Sequence, residues 1–142
     1  MEAPKRVVLD TTIMVRHLRG SKEETHLIEK LHDVSNLATT IVNVFEIYYG
    51  AHKSKESVKN VSAAKGFLKG LDDVLGLNEN CADLAGKIMA DLESKGIGLD
   101  PRDVLIGAIA SVNGYPVLTL NSRHFDRIPD LEVIDPKGLK FS

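Results

Sequence analysis

Asp10, Glu46 and Asp103 are the residues of this sequence whose types and settings could do chemistry together. Asp10 interrupts the apolar stretch V-V-L-D-T-T-I-M-V, Glu46 lies within V-N-V-F-E-I-Y-Y, and Asp103 follows Asp100-Pro101 ahead of another apolar run. Carboxylates brought close together repel one another and lose hydration, so some are driven towards protonation unless a cation joins them. Hard oxygen donors that leave room for water suit Mg²⁺ or Mn²⁺, and such ions commonly act on phosphate esters.

Each acid also has a simpler explanation. Asn43-x-x-Glu46 has the form of a capping box, and Asp100-x-x-Asp103 puts a second acid at the third helical position, where the helix dipole favours it. Asp10, at the inner end of an apolar strand, needs a partner; the amides of the next helix or the Thr12 hydroxyl would serve without any metal. The coincidence of the three favours a site.

The elements that must position these acids follow from periodicity. Short runs rich in β-branched residues alternate with longer stretches of helical spacing, the order of an α/β fold with a parallel sheet. Strands are expected at Arg6–Leu9, Leu37–Val42, Tyr115–Leu120 and Leu131–Ile134, with a short edge strand near Val74–Leu77. Helices are expected from Thr11 to before Gly20, over Lys22–Val34, from an Asn43 cap through Glu46 to Gly50, and over a long segment marked by Val58, Val61, Leu68, Leu71 and Leu75. Two more span Asn80–Lys95, stopped by Gly96, and Pro101–Asn113, stopped by Gly114. In open parallel sheets the ligand site lies beyond the carboxyl ends of the strands, where Asp10 and Glu46 both fall. Asp103 follows no clear strand of its own, so its place there depends on the topology.

The whole chain bounds the choice of function. Its 142 residues, 43% of them hydrophobic, suit one domain with one core, taken as residues 1–142. With 18 basic and 20 acidic residues the formal charge is −2, so nucleic acid must be met by a local patch rather than by a global field. A lone Cys81 excludes an intrachain disulfide and, with Leu84, Ala85 and Ile88 following, reads as core packing in a reducing compartment. No apolar run approaches the roughly 18 residues of a membrane span, and the apolar stretch after M-E-A-P-K-R is too short for a secretory signal, so a cytoplasmic protein without membrane contact is expected.

Four segments, in order and at this spacing, resemble one family: V-V-L-D-T-T-I, T-T-I-V-N-V-F-E-I-Y-Y-G, D-V-L-I-G-A-I-A and V-L-T-L-N-S-R-H-F-D-R-I-P-D-L-E-V. They resemble the PIN domain, and within it the VapC-like ribonucleases of toxin-antitoxin pairs, over nearly the whole chain. The resemblance implies a three-layer α/β/α sandwich around a mainly parallel sheet of four to five strands. It implies an Mg²⁺ or Mn²⁺ site on Asp10, Glu46 and Asp103 that hydrolyses RNA phosphodiesters, with Thr12 orienting a carboxylate or a water and Asp100 in support. The family often carries a fourth acid where this chain reads L-N-S-R-H-F; Asn121 stands in that segment, and Asp126 lies one step too far by simple register. Asn121 is therefore taken as the fourth catalytic position, able to hold water or phosphate through its amide.

Such a site would activate water against the scissile phosphate, leaving 5′-phosphate and 3′-hydroxyl ends. RNA backbone contacts are assigned to Arg16, Arg19, Arg102, Arg123 and Arg127, with His124 as a further phosphate contact. The resemblance implies a small antitoxin whose helix or tail lies in a groove and brings an arginine near the acids. Apolar faces on the Val58–Leu75 and Cys81–Leu92 segments suit either a homodimer or the core. The alternatives are a PIN nuclease that processes RNA without an antitoxin and a non-catalytic PIN-like scaffold. A phosphatase would need D-x-D where the chain reads D-T-T, and a receiver would need an acidic pair before its Asp.

Overall fold

The computed structural model describes residues 1–141. Five strands, β1 (Arg6–Leu9), β2 (Asn36–Thr40), β3 (Asp73–Leu75), β4 (Val117–Leu118) and β5 (Val133–Ile134), form one sheet in the order β3-β2-β1-β4-β5. Every neighbouring pair is parallel, as expected from the alternation of strand-like and helix-like segments. Helices α1 (Thr11–Leu18), α2 (Lys22–Val34), α3 (Ile41–Lys53), α4 (Ser57–Lys69), α5 (Glu79–Ser94), α6 (Pro101–Asn113) and the short α7 (Ser122–Phe125) cover it.

The period of two within β1 divides the core. Val8 faces Ala38, Val117 and the α5 and α6 residues Ile88, Val104 and Ile109. Val7 and Leu9 face the opposite way, onto Ile13, Met14, Ile28 and Leu31 of α1 and α2 and onto Ala64 and Leu68 of α4. The result is the expected α/β/α sandwich, buried on both faces of the sheet. Each fully buried Val, Leu or Ile contributes about 1.5–3 kcal/mol of hydrophobic stabilisation.

Helix punctuation follows local chemistry. In α6, Pro101 occupies the first turn, the Asp100 side chain accepts from the Arg102 amide at 2.8 Å, and Gly114 ends the helix with φ 74. The expected helix over Lys22–Val34 is found with those bounds.

Several expectations need correction. Strand β2 stops at Thr40, and Thr40 rather than Asn43 caps α3: its hydroxyl accepts from the Asn43 amide at 3.2 Å, and the Asn43 side chain returns to the Thr40 amide. The capping box thus begins three residues earlier than Asn43-x-x-Glu46 implies, which leaves Glu46 free of any capping duty. Helix α4 ends at Lys69, short of Leu71 and Leu75, and Val58 is 87% exposed instead of lying on an inward face. Asn78 caps α5 one residue early, and Cys81, Ala85, Ile88 and Leu92 of that helix are core, so its apolar face is already covered. Asp100 caps α6 alone; no capping bond is made by Asp103, which is turned to other company.

Candidate active site

The direction of chain travel across the sheet reverses at β1. From β1 the chain moves through β2 to β3, then returns to lay β4 and β5 on the other side. In open parallel sheets the ligand site lies beyond the carboxyl ends of the strands at such a reversal, which here falls between β1 and β4. Asp10 follows β1 at this point, and its amide donates to the Leu118 carbonyl of β4 at 3.0 Å.

Asp10 is 4% exposed, and both of its carboxylate oxygens accept hydrogen bonds. Asn43 Nδ2 donates to Oδ1 at 3.1 Å, while Thr119 Oγ1 at 2.8 Å and Thr12 Oγ1 at 3.1 Å donate to Oδ2. Three neutral donors, one from the residue that follows β4 and the others from α1 and α3, account for the burial of this charge. The partnership with Thr12 was anticipated; those with Asn43 and Thr119 were not.

Glu46 approaches from α3. Its Oε1 accepts from Thr11 Oγ1 at 2.7 Å, and its Oε2 lies 3.6 Å from Arg102 Nη1. Burial pushes the Glu46 carboxyl above its ordinary range and Asp10 adds to this, against the Thr11 hydroxyl and the Arg102 guanidinium.

Asp103 lies in the first turn of α6. Burial first, then the charges of Asp10 and Asp100, push its carboxyl from 3.8 up to about 6. Its Oδ2 lies 3.6 Å from His124 Nδ1, an exposed ring on α7. Asp100, outermost, is held below its usual range by hydrogen bonds from the Arg102 side chain and amide.

Three acids from separate segments therefore share one electrostatic field at the carboxyl end of the sheet. Among the described residues, no three acidic, histidine or cysteine side chains are gathered tightly enough to enclose a metal ion. The donor set still fits a hard divalent cation. Mg²⁺ is usually held by one or two carboxylates with waters retained, and carboxyls driven towards protonation by burial and by one another are those a cation would relieve.

The PIN domain family profile matches residues 7–131. The chain belongs to the PIN-domain family. It is 30% identical over 131 residues to the tRNA(fMet)-specific endonuclease VapC of Salmonella typhimurium, covering 92% of this chain and 97% of that protein. It is 32% identical over 126 residues to the ribonuclease VapC19 of Mycobacterium tuberculosis, covering 88% and 96%. Its fold superposes on the crystal structure of DNA-bound VapBC from Salmonella typhimurium with a TM-score of 0.84 at 30% identity, covering 94% and 99% of the two chains. Among PIN domains it stands with the VapC-type ribonucleases.

The remaining expected site residues of this PIN domain are less closely drawn in. Asn121 is exposed and precedes α7; its amide donates to Thr119 Oγ1 at 2.9 Å, which ties its backbone, not its side chain, to the acid network. Asp126 is exposed at the end of α7. Arg16 and Arg123 are exposed, and Arg127 donates to the Gly98 carbonyl at 3.2 Å. Arg19 lines a groove of about 230 Å³ between α1, α3 and α4, floored by Val15, Leu18, Ile47 and Ala64 and reaching Glu46. Of the arginines, Arg102 alone forms an ion pair with one of the three central acids, Glu46, among the described residues.

Sequence reasoning missed Thr11, Asn43 and Thr119 as partners of the acids. Thr119 carried one usable signal, a hydroxyl interrupting the apolar V-L-T-L run, matching Thr11 and Thr12 after β1.

Proposed function

We propose that this PIN domain is a divalent-cation-dependent endoribonuclease and the toxin of a VapBC-type toxin-antitoxin pair. The observation that carries the reading is the delivery of Asp10, Glu46 and Asp103 by three separate segments to the switch point of a parallel sheet, with the Asp103 carboxyl driven up to about 6 by burial and by the neighbouring acids.

A bound Mg²⁺ or Mn²⁺ would supply Lewis acidity towards the phosphodiester and acidify water at the site. Asp10, Glu46 and Asp103 would hold that cation. Asn43, Thr12 and Thr119 fix the direction of the Asp10 carboxylate, and Thr11 does the same for one oxygen of Glu46. Asp103 accepts or orients the proton of the attacking water. Asn121 and His124 at the rim, with Arg16 and Arg123 outside them, contact the RNA backbone.

An antitoxin segment lying in the groove between α1, α3 and α4 would end beside Glu46, which supports inhibition by direct approach to the acids. Self-association into a homodimer draws support from the exposed Ile41, Phe45 and Tyr49 along one face of α3, since the α5 face first suggested for it is core. No helix among the described residues is long and apolar enough to cross a membrane.

The test is cleavage of a mixed single-stranded RNA panel with and without Mg²⁺ or Mn²⁺, beside Asp10→Asn and Asp103→Asn. Metal-dependent cutting, lost in both variants and leaving 5′-phosphate ends, is the expected result. Products ending in 2′,3′-cyclic phosphate would overturn attack by water. Equal behaviour of all proteins without metal dependence would favour a non-catalytic scaffold.

A further inference from the structure

Arg102 sits between two of the acids. Its Nη2 donates to Asp100 Oδ2 at 3.0 Å and its Nε to Asp100 Oδ1 at 3.4 Å, while Nη1 reaches Glu46 Oε2 at 3.6 Å. The two oxygens of Glu46 are thereby divided: Thr11 takes Oε1 at 2.7 Å, and the guanidinium stands at Oε2. Oε2 is the oxygen left for a cation.

The pairing has the properties of a temporary one. An arginine keeps its charge at any working pH, so only displacement removes it. The Arg102 side chain is 49% exposed and that of Glu46 only 18%, so the guanidinium can leave into solvent while the carboxylate stays in the site. Its anchor, Asp100, is 43% exposed and belongs to the rim, so Arg102 retains a partner after releasing Glu46. An ion pair this open is weak.

We propose that Arg102 is an internal counter-ion that occupies Glu46 Oε2 in the metal-free chain and competes with a divalent cation for that oxygen. This rests on the reading of Glu46 as part of a cation site. Arg102 is a positioning residue here: it acts through Glu46 and lowers the apparent affinity of the site for the ion.

The experiment is calorimetric titration of Mn²⁺ into the RNA-free full chain at neutral pH and low salt, for wild type, Arg102→Ala, Arg102→Lys, Glu46→Gln and Arg102→Ala/Glu46→Gln. Loss of the competitor is expected to tighten Mn²⁺ binding in Arg102→Ala by roughly two- to fivefold, the equivalent of an open ion pair. Arg102→Lys, which keeps the charge and loses the forked hold on Asp100, is expected to fall between. In the Glu46→Gln background the Arg102→Ala effect should vanish. A residue with only a structural role would weaken binding when removed, or leave it alone; either result in Arg102→Ala overturns the proposal. Equal tightening with and without Glu46 would reduce Arg102 to a general field and overturn it as well. Wild type that binds no Mn²⁺ would overturn the cation site itself, and this inference with it.

Discussion

Thr119 Oγ1 donates to Asp10 Oδ2 at 2.8 Å across the junction of β4 and β1, joining residues 109 positions apart in the chain. The same hydroxyl accepts from the Asn121 amide at 2.9 Å, so one threonine aligns the central acid and tethers the loop that leads into α7. A hydrogen bond to a charged acceptor in a buried setting is worth about 1.5–3 kcal/mol.

Thr119→Val keeps the shape and removes both bonds. Stability is expected to fall by roughly 1–3 kcal/mol in urea unfolding, with RNA cleavage reduced further than the lost folded fraction explains. Thr119→Ser, which retains the hydroxyl, should recover most of the cleavage.

Asp103 makes the metal-free fold sensitive to pH. Its folded value of about 6 lies above the unfolded 3.8, so the folded chain binds more protons in between. Stability from this group is present in full below about 3.8 and is lost as the pH rises through about 6. Asp103→Asn removes the penalty. In the presence of chelator, the melting temperature of Asp103→Asn is therefore expected to match or trail wild type near pH 4 and to exceed it at pH 7.5. A difference independent of pH would show that Asp103 is not the titrating group.

Cation binding should carry the opposite pH dependence. A carboxyl that titrates near 6 must lose its proton before it can ligate, so Mn²⁺ is expected to raise the melting temperature more at pH 7.5 than at pH 5. Chelator should abolish the rise at both. A larger shift at pH 5 would remove Asp103 from the ligand set.

Cys81 is fully buried at the start of α5 and packs in the core. Labelling of the native chain by a thiol reagent should be slow and become rapid only on unfolding. Cys81→Ala is expected to destabilise by about 1 kcal/mol without altering cleavage, because the side chain is part of the core and makes no hydrogen bond to the acids.

Much of the fold was legible because it is written in short windows. Helix α2 has its expected bounds because Leu27, Ile28 and Leu31 repeat at helical spacing, and α6 is bracketed by Asp100-Pro101 and Gly114. The α3 start was read three residues late because Thr40 and Asn43 are both good caps, and only the backbone geometry chooses between them. Val58 was misjudged because α4 packs through Ala64 and Leu68, and an apolar residue outside that narrow stripe gains no cover.

The sequence by itself determined the alternation of strands and helices, the identity of the acids and the family to which they belong, since periodicity, caps and motifs act over a few residues. Only the tertiary structure decided which groups meet those acids. Asn43 and Thr119 reach Asp10 from 33 and 109 positions away, and Arg102 finds Glu46 from the first turn of a helix that follows no adjacent strand. Such partners depend on where the chain reverses across the sheet, and no local pattern records that crossing.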